Sequence, residues 1–340
     1  MSTAIRDQAE FGQLAEQFRH ELQVHCYRMV GSRDEAEDLV QETLLRAWRG
    51  RESFAGRSSF RAWLYRISTN VCLDFLARSR RRPTVYSATP TAGPTDAAAP
   101  ARIAWLQPFP DVLLEPAAPS EAEPDAIVVA KETIELAFLV AIQHLPPRQR
   151  AVLILRDVLG WPANDTAAAL DTSVTSVKSA LQRARRTLRE HLPDRRDHWA
   201  PVAEPSSDEH ALLRRYVDAH EQGDVDAVAA LLADDVRLTM PPHPHWFAGR
   251  MALREFSARV FDPASPWFHG RWRCVPTRAN RQPAVAHYVE RPSAEATKEL
   301  VGRFRAQVID VLRIDNGQIV EITAFEPQLL AGFRLPLVLD

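Results

Sequence analysis

Three cysteines and twelve glycines are all that 340 residues supply of either, and the cysteine scarcity closes two routes. Cys26, Cys72 and Cys274 lie far apart with no CxxC or Cys/His spacing, so neither a disulfide framework nor a zinc site is supported, and a reducing cytoplasm fits. No run of eighteen apolar residues occurs, and residues 1–10 lack the basic-then-apolar order of a signal peptide, so the expectation is a soluble, internal protein without a membrane contact. A formal net charge of −2 argues, taken alone, against a phosphate partner, which needs concentrated positive charge. Proline is the exception to scarcity. The 25 prolines cluster between patterned stretches and mark stiff linkers, and the length favours two or three domains.

The charge is unevenly spread. Basic residues gather at Arg78, Arg80, Arg81 and Arg82 and again at Lys178, Arg183, Arg185, Arg186 and Arg189, whereas Asp34, Glu35, Glu37, Asp38 and Glu42 form an acidic group. One such run reads equally well as a solvated helix face; two in separate helical segments point toward nucleic acid.

Residues 11–82 carry helical periodicity, with Leu39, Val40, Leu44, Ala47 and Trp48 recurring at three and four residues. Ser32 is a candidate cap ahead of Asp34 and Glu35. Residues 83–125 turn to Pro, Ala, Thr and Ser around the apolar island Trp105, Leu106 and Phe109, a composition that predicts no fold of its own. Helical periodicity resumes near Ile127 and runs to His191, broken at Pro146-Pro147 and at Gly160-Trp161-Pro162. After a second polar linker, two helices precede strands at residues 285–289, 304–314 and 318–325, with Asp315-Asn316-Gly317 as a hairpin turn.

Residues 162–190 have the pattern of a helix-turn-helix: a short helix over 163–170, a turn at Asp171-Thr172-Ser173, then a long basic helix. Thr175, Ser176, Lys178, Ser179, Gln182 and Arg183 stand at its start, where small polar and basic side chains reach base edges and phosphates, and Val174, Val177 and Leu181 hold the inner face. An ordinary amphipathic helix with a solvated basic face is the alternative.

The stretch LPPRQRAVLILRDVLGWPANDTAAALDTSVTSVKSALQRARRTL (residues 145–188) resembles the promoter-reading C-terminal domain of extracytoplasmic-function RNA polymerase sigma factors. YRMVGSRDEAEDLVQETLLRAW is similar to that family's core-binding helix, and the resemblance implies that Asp38, Gln41 and Glu42 face the polymerase. SSFRAWLYRISTNVCLDFLARSRRR resembles the helix that opens the downstream promoter element. There Asn70, Asp74 and Arg78 share one helix face by their four-residue spacing, and the resemblance implies that this face, with the loop at 52–58, captures an unstacked base, with Arg80 and Arg81 as further contacts to this element. Local hydrogen bonding is the alternative for Asn70, and core packing the expected role of most of Trp63, Tyr65 and Phe75. Two readers must span more than one duplex turn, roughly 35 Å, and forty-odd flexible residues reach about 36 Å r.m.s.. In the family such linkers thread through polymerase, which makes Trp105, Leu106 and Phe109 an anchor there or an island packed on one of the chain's own domains.

From Glu209 onward, LLRRYVDAHEQGDVDAVAALLADDVRLTMPP, FAGRMALREF and VIDVLRIDNGQIVEITAF resemble the SnoaL-like and ketosteroid-isomerase-like cone fold; with the sigma stretches they resemble the SigG-like group. The resemblance puts Tyr216 and Asp310 at the isomerases' oxyanion donors, but Met240 at the position of their carboxylate base, and a thioether takes no proton. A structural carboxylate is the default for Asp310, and Asp234 and Asp235 are expected at a helix end. His243 and His245 lack further metal ligands. Trp246, Phe247, Trp267, Phe268, Tyr288 and Phe304 are expected to line or plug a pocket together with Tyr216, Met240 and Asp310.

The expected architecture is multidomain: two all-α sigma domains, the second with the helix-turn-helix, followed by an α+β SnoaL-like/ketosteroid-isomerase-like cone-shaped domain. Boundaries are expected at 1–83, 84–125 (linker), 126–193, 194–207 (linker) and 208–340. The expected function is promoter-specific initiation with core RNA polymerase and promoter DNA as partners, no catalytic residue, no metal and no cofactor. The last domain then adjusts activity through contacts with the sigma domains or through a small apolar ligand. The alternatives are a helix-turn-helix regulator acting without polymerase and an isomerase- or cyclase-type enzyme.

Overall fold

A computed structural model describes residues 8–54, 59–79, 81–86, 90–94, 96–114, 134–192, 206–291 and 302–340. The chain divides into two compact units, one of residues 1–83 with 113–201, the other of residues 84–112 with 202–340.

The first unit is helical. Helices α1 (Gln8–Val30), α2 (Arg33–Gly50) and α3 (Phe60–Ser79) pack pairwise, burying Leu22, Cys26, Met29, Val40, Ala47, Leu64 and Val71. Ser32 caps α2 by accepting from the Glu35 amide at 3.4 Å, with Asp34 and Glu35 in the first turn where the helix dipole favours them. Phe11, Phe54, Phe60 and Trp63 stack edge-on or tilted at one end of the bundle.

Four more helices follow: α4 (Leu136–Gln143), α5 (Pro147–Leu153), α6 (Ala163–Ala169) and α7 (Val174–His191). Pro147 opens α5, where its missing amide costs nothing. A π-helical turn, Ile154–Val158, carries α5 toward the Gly160-Trp161-Pro162 break. The turn before α7 holds Asp171 at φ 48°, and Ser173 caps α7 by accepting from the Ser176 amide at 3.1 Å. The buried Arg150 ties this half to α1. Its guanidinium donates to Gln143 Oε1 (2.6 Å), to the carbonyls of Gln143 (2.9 Å) and Leu145 (3.2 Å), and to the Met29 carbonyl at the end of α1.

The second unit is α+β. A curved sheet runs in the order β4-β3-β8-β7-β6-β5: β3 (Leu232–Thr239), β4 (Trp246–Ala248), β5 (Arg271–Ala279), β6 (Gln282–Glu290), β7 (Phe304–Asp315) and β8 (Gln318–Phe325), with β9 (Val338–Leu339) against β7. β3 and β8 pair in parallel, and the other named strand pairs of this sheet are antiparallel. Register shifts in β3/β8, β6/β7 and β7/β8 bend the sheet, as bulges do. Asn316 (φ 50°) and Gly317 (φ 73°) make the two-residue turn between β7 and β8, the left-handed pair that a tight hairpin needs. Helices α8 (Ser207–Gln222), α9 (Val225–Ala230) and α10 (Arg250–Phe261) complete the unit. α8 packs on β5 and β6, and α10 on β3 and β4. Ser206 and Glu209 form a reciprocal capping box at the start of α8.

Two expectations are corrected. Within the 84–125 stretch, the described residues 84–112 have structure: a short hairpin, β1 (Thr84–Val85) with β2 (Ala101–Arg102), and a chain that packs on the second unit. Phe109 is 0% exposed, and its amide and carbonyl exchange 2.8 Å hydrogen bonds with Asn280. Asp111 pairs with Arg278 at 3.0 Å and accepts from the Arg281 amide at 2.7 Å. The apolar island is therefore packed on the chain's own domain, because partners distant in sequence satisfy its backbone. Asp234 and Asp235 lie in β3, exposed, rather than at a helix end. The two helices that precede the strands are joined by a third, α10, after β4.

Candidate functional site

On α2, Ala36, Leu39, Val40, Thr43 and Ala47 face inward, which turns Asp38, Gln41 and Glu42 outward. Leu45, 50% exposed, continues the same face at the i, i+3, i+4, i+7 spacing of one helix stripe. The surface is thus acidic with one apolar side chain at its end. Glu42 accepts from Arg46 at 2.6 Å, and Arg46 also reaches Asp74 on α3 at 2.8 Å, so one guanidinium fixes a carboxylate of each expected contact surface.

Along α3, Asn70, Asp74 and Arg78 are exposed on a common face, while Trp63 and Tyr65 are buried. Arg78 Nε donates to the Asp74 carbonyl at 3.2 Å. Arg81 is held differently: its guanidinium forks onto the Glu35 carboxylate and sits 5.4 Å over the Phe75 ring. Arg80 and the 55–58 part of the expected loop lie outside the described residues.

Helix α7 buries Val177, Leu181, Ala184 and Leu188. Thr175, Ser176, Lys178, Gln182 and Arg183 are exposed and Ser179 is half-buried, so the six residues form the outer face of the N-terminal half. The Ser176 hydroxyl lies 2.8 Å from that of Ser173 and belongs in part to the cap. Arg185 is engaged by Asp157 at 2.8 Å, which anchors α7 to the π-helical turn. Lys178 and Arg183 have no carboxylate partner among the described residues, leaving their charges available to phosphate.

In the second unit a cavity of about 560 Å³ opens between α8, α10 and the sheet, within the size range of small-molecule sites. Tyr216, Met240 and Asp310 line it, as do Phe247 and Trp267. Trp246, Phe268, Tyr288 and Phe304 are not among its walls, which corrects that expectation. Strand alternation is the reason: Phe247 faces the cavity, so Trp246 and Ala248 face away and pack with Tyr86. Tyr288, next to the cavity-lining His287, instead donates its hydroxyl to the Pro336 carbonyl at 2.9 Å.

The polar end of the cavity is a chain of side chains. Tyr216 donates to Asp310 Oδ2 at 2.9 Å; His287 Nε2 stands 3.1 Å from the same oxygen, off the direction of a good hydrogen bond; His287 Nδ1 meets Cys274 Sγ at 3.2 Å. Burial by itself lowers His287, but Cys274 and the Asp310 carboxylate outweigh it and bring the imidazole up to about 10. Burial would raise Asp310, yet the His287 imidazolium and the Tyr216 hydroxyl hold it below the usual carboxylate range. His220, beneath Tyr216, is pushed down to about 3 by burial and then by the His287 charge. The result is an ionised, nearly neutral pair at the end of an apolar chamber. Met240 contributes to the cavity wall a thioether, which takes no proton.

Sequence reasoning missed His287, His220, Cys274, Arg46 and Leu45. Cys274 and His287 are direct cross-strand partners in β5/β6, and Asp310 pairs opposite Val285, two residues from His287 on the same face; their meeting depends on register. Leu45 had a signal in the sequence, its helical spacing from Asp38 and Gln41. His243 and His245 are exposed and contact Glu326 (3.3 Å) and Thr91 (3.4 Å) separately. Among the described residues no three His, Cys, Asp or Glu side chains converge as metal ligands, and no helix is long and apolar enough to cross a membrane.

Comparison with known proteins finds three family matches along the chain. Residues 14–82 match the Sigma-70 region 2 family, 135–188 Sigma-70 region 4, and 213–322 the SnoaL-like domain. Over 282 residues the chain is 43% identical to the ECF RNA polymerase sigma factor SigG of Mycobacterium tuberculosis, spanning 82% of this chain and 74% of that protein. It is 29% identical over 224 residues to the ECF RNA polymerase sigma factor SigJ of the same organism, 66% of this chain and 62% of that one. The crystal structure of M. tuberculosis SigJ is similar in fold, with a TM-score of 0.58 at 21% identity over 96% of this chain and 99% of that chain.

Proposed function

We infer the function of this chain from its family: it belongs to the extracytoplasmic-function RNA polymerase sigma factors, built from a region 2 module, a region 4 module and a SnoaL-like domain. It binds core RNA polymerase and directs promoter-specific initiation. The observation that carries this reading is the 43% identity, which extends over 282 residues and so beyond any single module.

The finer assignments are our own. Asp38, Gln41 and Glu42, extended by Leu45, form the polymerase-facing stripe of α2. Asn70, Asp74 and Arg78 meet the downstream element as a melted strand, with Arg80 and Arg81 at the phosphates; Arg81 has to leave Glu35 to do so. Thr175, Ser176, Lys178, Ser179, Gln182 and Arg183 read the upstream element from the major groove. The boundaries 1–83, 126–193 and 208–340 remain those of the modules, with the docked 84–112 segment as part of the first linker. The C-terminal domain modulates activity, supported by the packing of that segment on it, and its cavity takes a small apolar ligand. The site of action is the cytoplasm, where polymerase is found. An isomerase-type reading is disfavoured by the thioether of Met240 on the cavity wall and by an Asp310 already committed to Tyr216 and His287.

Co-sedimentation of the purified chain with sigma-free core polymerase tests the reading. Stable association, weakened about tenfold or more by Asp38→Lys with Glu42→Lys and increasingly weak at high salt, is expected. A chain that never associates with core enzyme contradicts it.

A further inference from the structure

One described residue of the 84–112 stretch forms part of the cavity wall. Thr91 lines the cavity beside residues of the sheet and α10. The segment runs along β4: the Thr91 amide donates to the Trp246 carbonyl at 2.7 Å, the Ala248 amide donates to the Ala92 carbonyl at 3.1 Å, and Ala92 bridges Phe247 in parallel. Gly93 passes so close to β4 that a Cβ there would stand 2.1 Å from the Ala248 carbonyl oxygen. Trp246 and Ala248 meet Tyr86 of the segment while Phe247 faces the cavity. A three-residue strand therefore touches the segment with one face and the chamber with the other.

The floor of the chamber specifies a chemistry. Both protein partners of Asp310 meet Oδ2, and the carboxylate keeps 11% of its side-chain surface at the cavity it lines. What it offers a ligand is an acceptor, since the Tyr216 hydroxyl is already spent on it. The adjoining His287 balances its charge, and the other carboxylate on the cavity wall, Glu326, is engaged by His243 at 3.3 Å, so neither carboxylate stands alone to pair with a charged ligand. Leu238, Phe247, Phe256, Phe261 and Trp272 supply apolar and aromatic walls.

We propose that the cavity binds an uncharged, ring-containing ligand whose hydroxyl group donates to Asp310, and that this ligand stabilises docking of the 84–112 segment on β4. The inference rests on the reading that the C-terminal domain modulates the sigma modules. Thr91 belongs to the wall only while the segment is docked, so the ligand gains that contact in the docked state alone, and by linkage the docked segment raises ligand affinity by the same factor. The segment lies in sequence between the region 2 and region 4 modules, so docking shortens the chain available to separate them.

The test uses the full chain with two neutral probes that differ by one hydroxyl, 4-phenylphenol and biphenyl, followed by quenching of tryptophan fluorescence from Trp267 and Trp272 in the cavity wall. The expected result is saturable binding of 4-phenylphenol, at least about tenfold tighter than biphenyl, the worth of a hydrogen bond to a charged acceptor. Met240→Trp, which fills the chamber from its wall, abolishes it. Gly93→Ala, which forces the segment off β4, weakens 4-phenylphenol severalfold; in the wild type the probe slows hydrogen exchange of the Ala248 amide. Equal affinity for the two probes, no saturation, or identical affinity in Gly93→Ala overturns the proposal. If Gly93→Ala changes transcript yield with core polymerase while neither probe binds, the modulatory reading stands and the ligand inference falls; if neither responds, both fall.

Discussion

Replacing Asp310 with asparagine removes one charge from a buried pair and keeps the shape. The wild-type His287 is held up at about 10 against an unfolded value of about 6.5. Because the folded value is raised, the stabilisation is complete below about pH 6.5 and fades as pH rises through the folded value. Linkage makes this worth about 4 kcal/mol at pH 7, falling to about 1 kcal/mol at pH 9. Cys274 shares in raising His287, so the part lost in Asp310→Asn is about half of this, about 2 kcal/mol at pH 7 and under about 1 kcal/mol at pH 9. The asparagine carbonyl still accepts from Tyr216, which keeps the loss from exceeding this range. Urea unfolding of the second unit, followed by its tryptophan fluorescence at the two pH values, measures the difference. A loss equal at pH 7 and pH 9 would mean that packing or the Tyr216 hydrogen bond carries the effect and would refute the ion-pair argument.

On the acid side the sign reverses. His25 in the first unit and His220 in the second are both pushed down to about 3, by burial first and then by Arg28 and His287 respectively, so only the unfolded chain takes up their protons below about pH 6.5. Each of these two histidines removes about 2 kcal/mol between pH 7 and pH 5, a loss that His287 offsets by about 1 kcal/mol in the second unit and that the burial-lowered His144 adds to in the first; a melting temperature of the first unit that holds constant over that interval excludes it. Arg150→Met orphans carbonyls of Met29, Gln143 and Leu145 together with Gln143 Oε1, and destabilises the first unit by about 3 kcal/mol in urea titration. Lys178→Ala and Arg183→Ala each weaken binding to duplex promoter DNA across sequences and reduce the slope of log affinity against log salt by about 1, measured by fluorescence anisotropy at several ionic strengths; an unchanged slope removes these residues from the phosphate contacts.

What was legible in the sequence is what local chemistry decides. Helix α7 is legible from apolar Val177 and Leu181 under a polar start, and the Asn316-Gly317 turn from the residues that tolerate positive φ. Ser32 was legible as a cap for the same reason. What stayed hidden depends on long-range register. The 84–112 segment has neither period, and its hydrogen bonds go to Asn280 and β4, more than 150 residues away. Trp246 and Phe247 look alike in sequence; only the pairing of β4 with β3 decides which faces the chamber. The Tyr216, Asp310, His287 and Cys274 chain was half visible through the family resemblance that marked Tyr216 and Asp310, and His287 joined it only once β6 was laid between β5 and β7.

Run-off transcription tests the central claim most directly: purified chain, sigma-free core polymerase and a set of promoter fragments, with transcripts mapped to their start sites. The account predicts transcripts from a discrete subset of promoters that share two elements, dependent on this chain and lost when Lys178 and Arg183 are both alanine. Binding to those fragments without any transcript from core polymerase would contradict it.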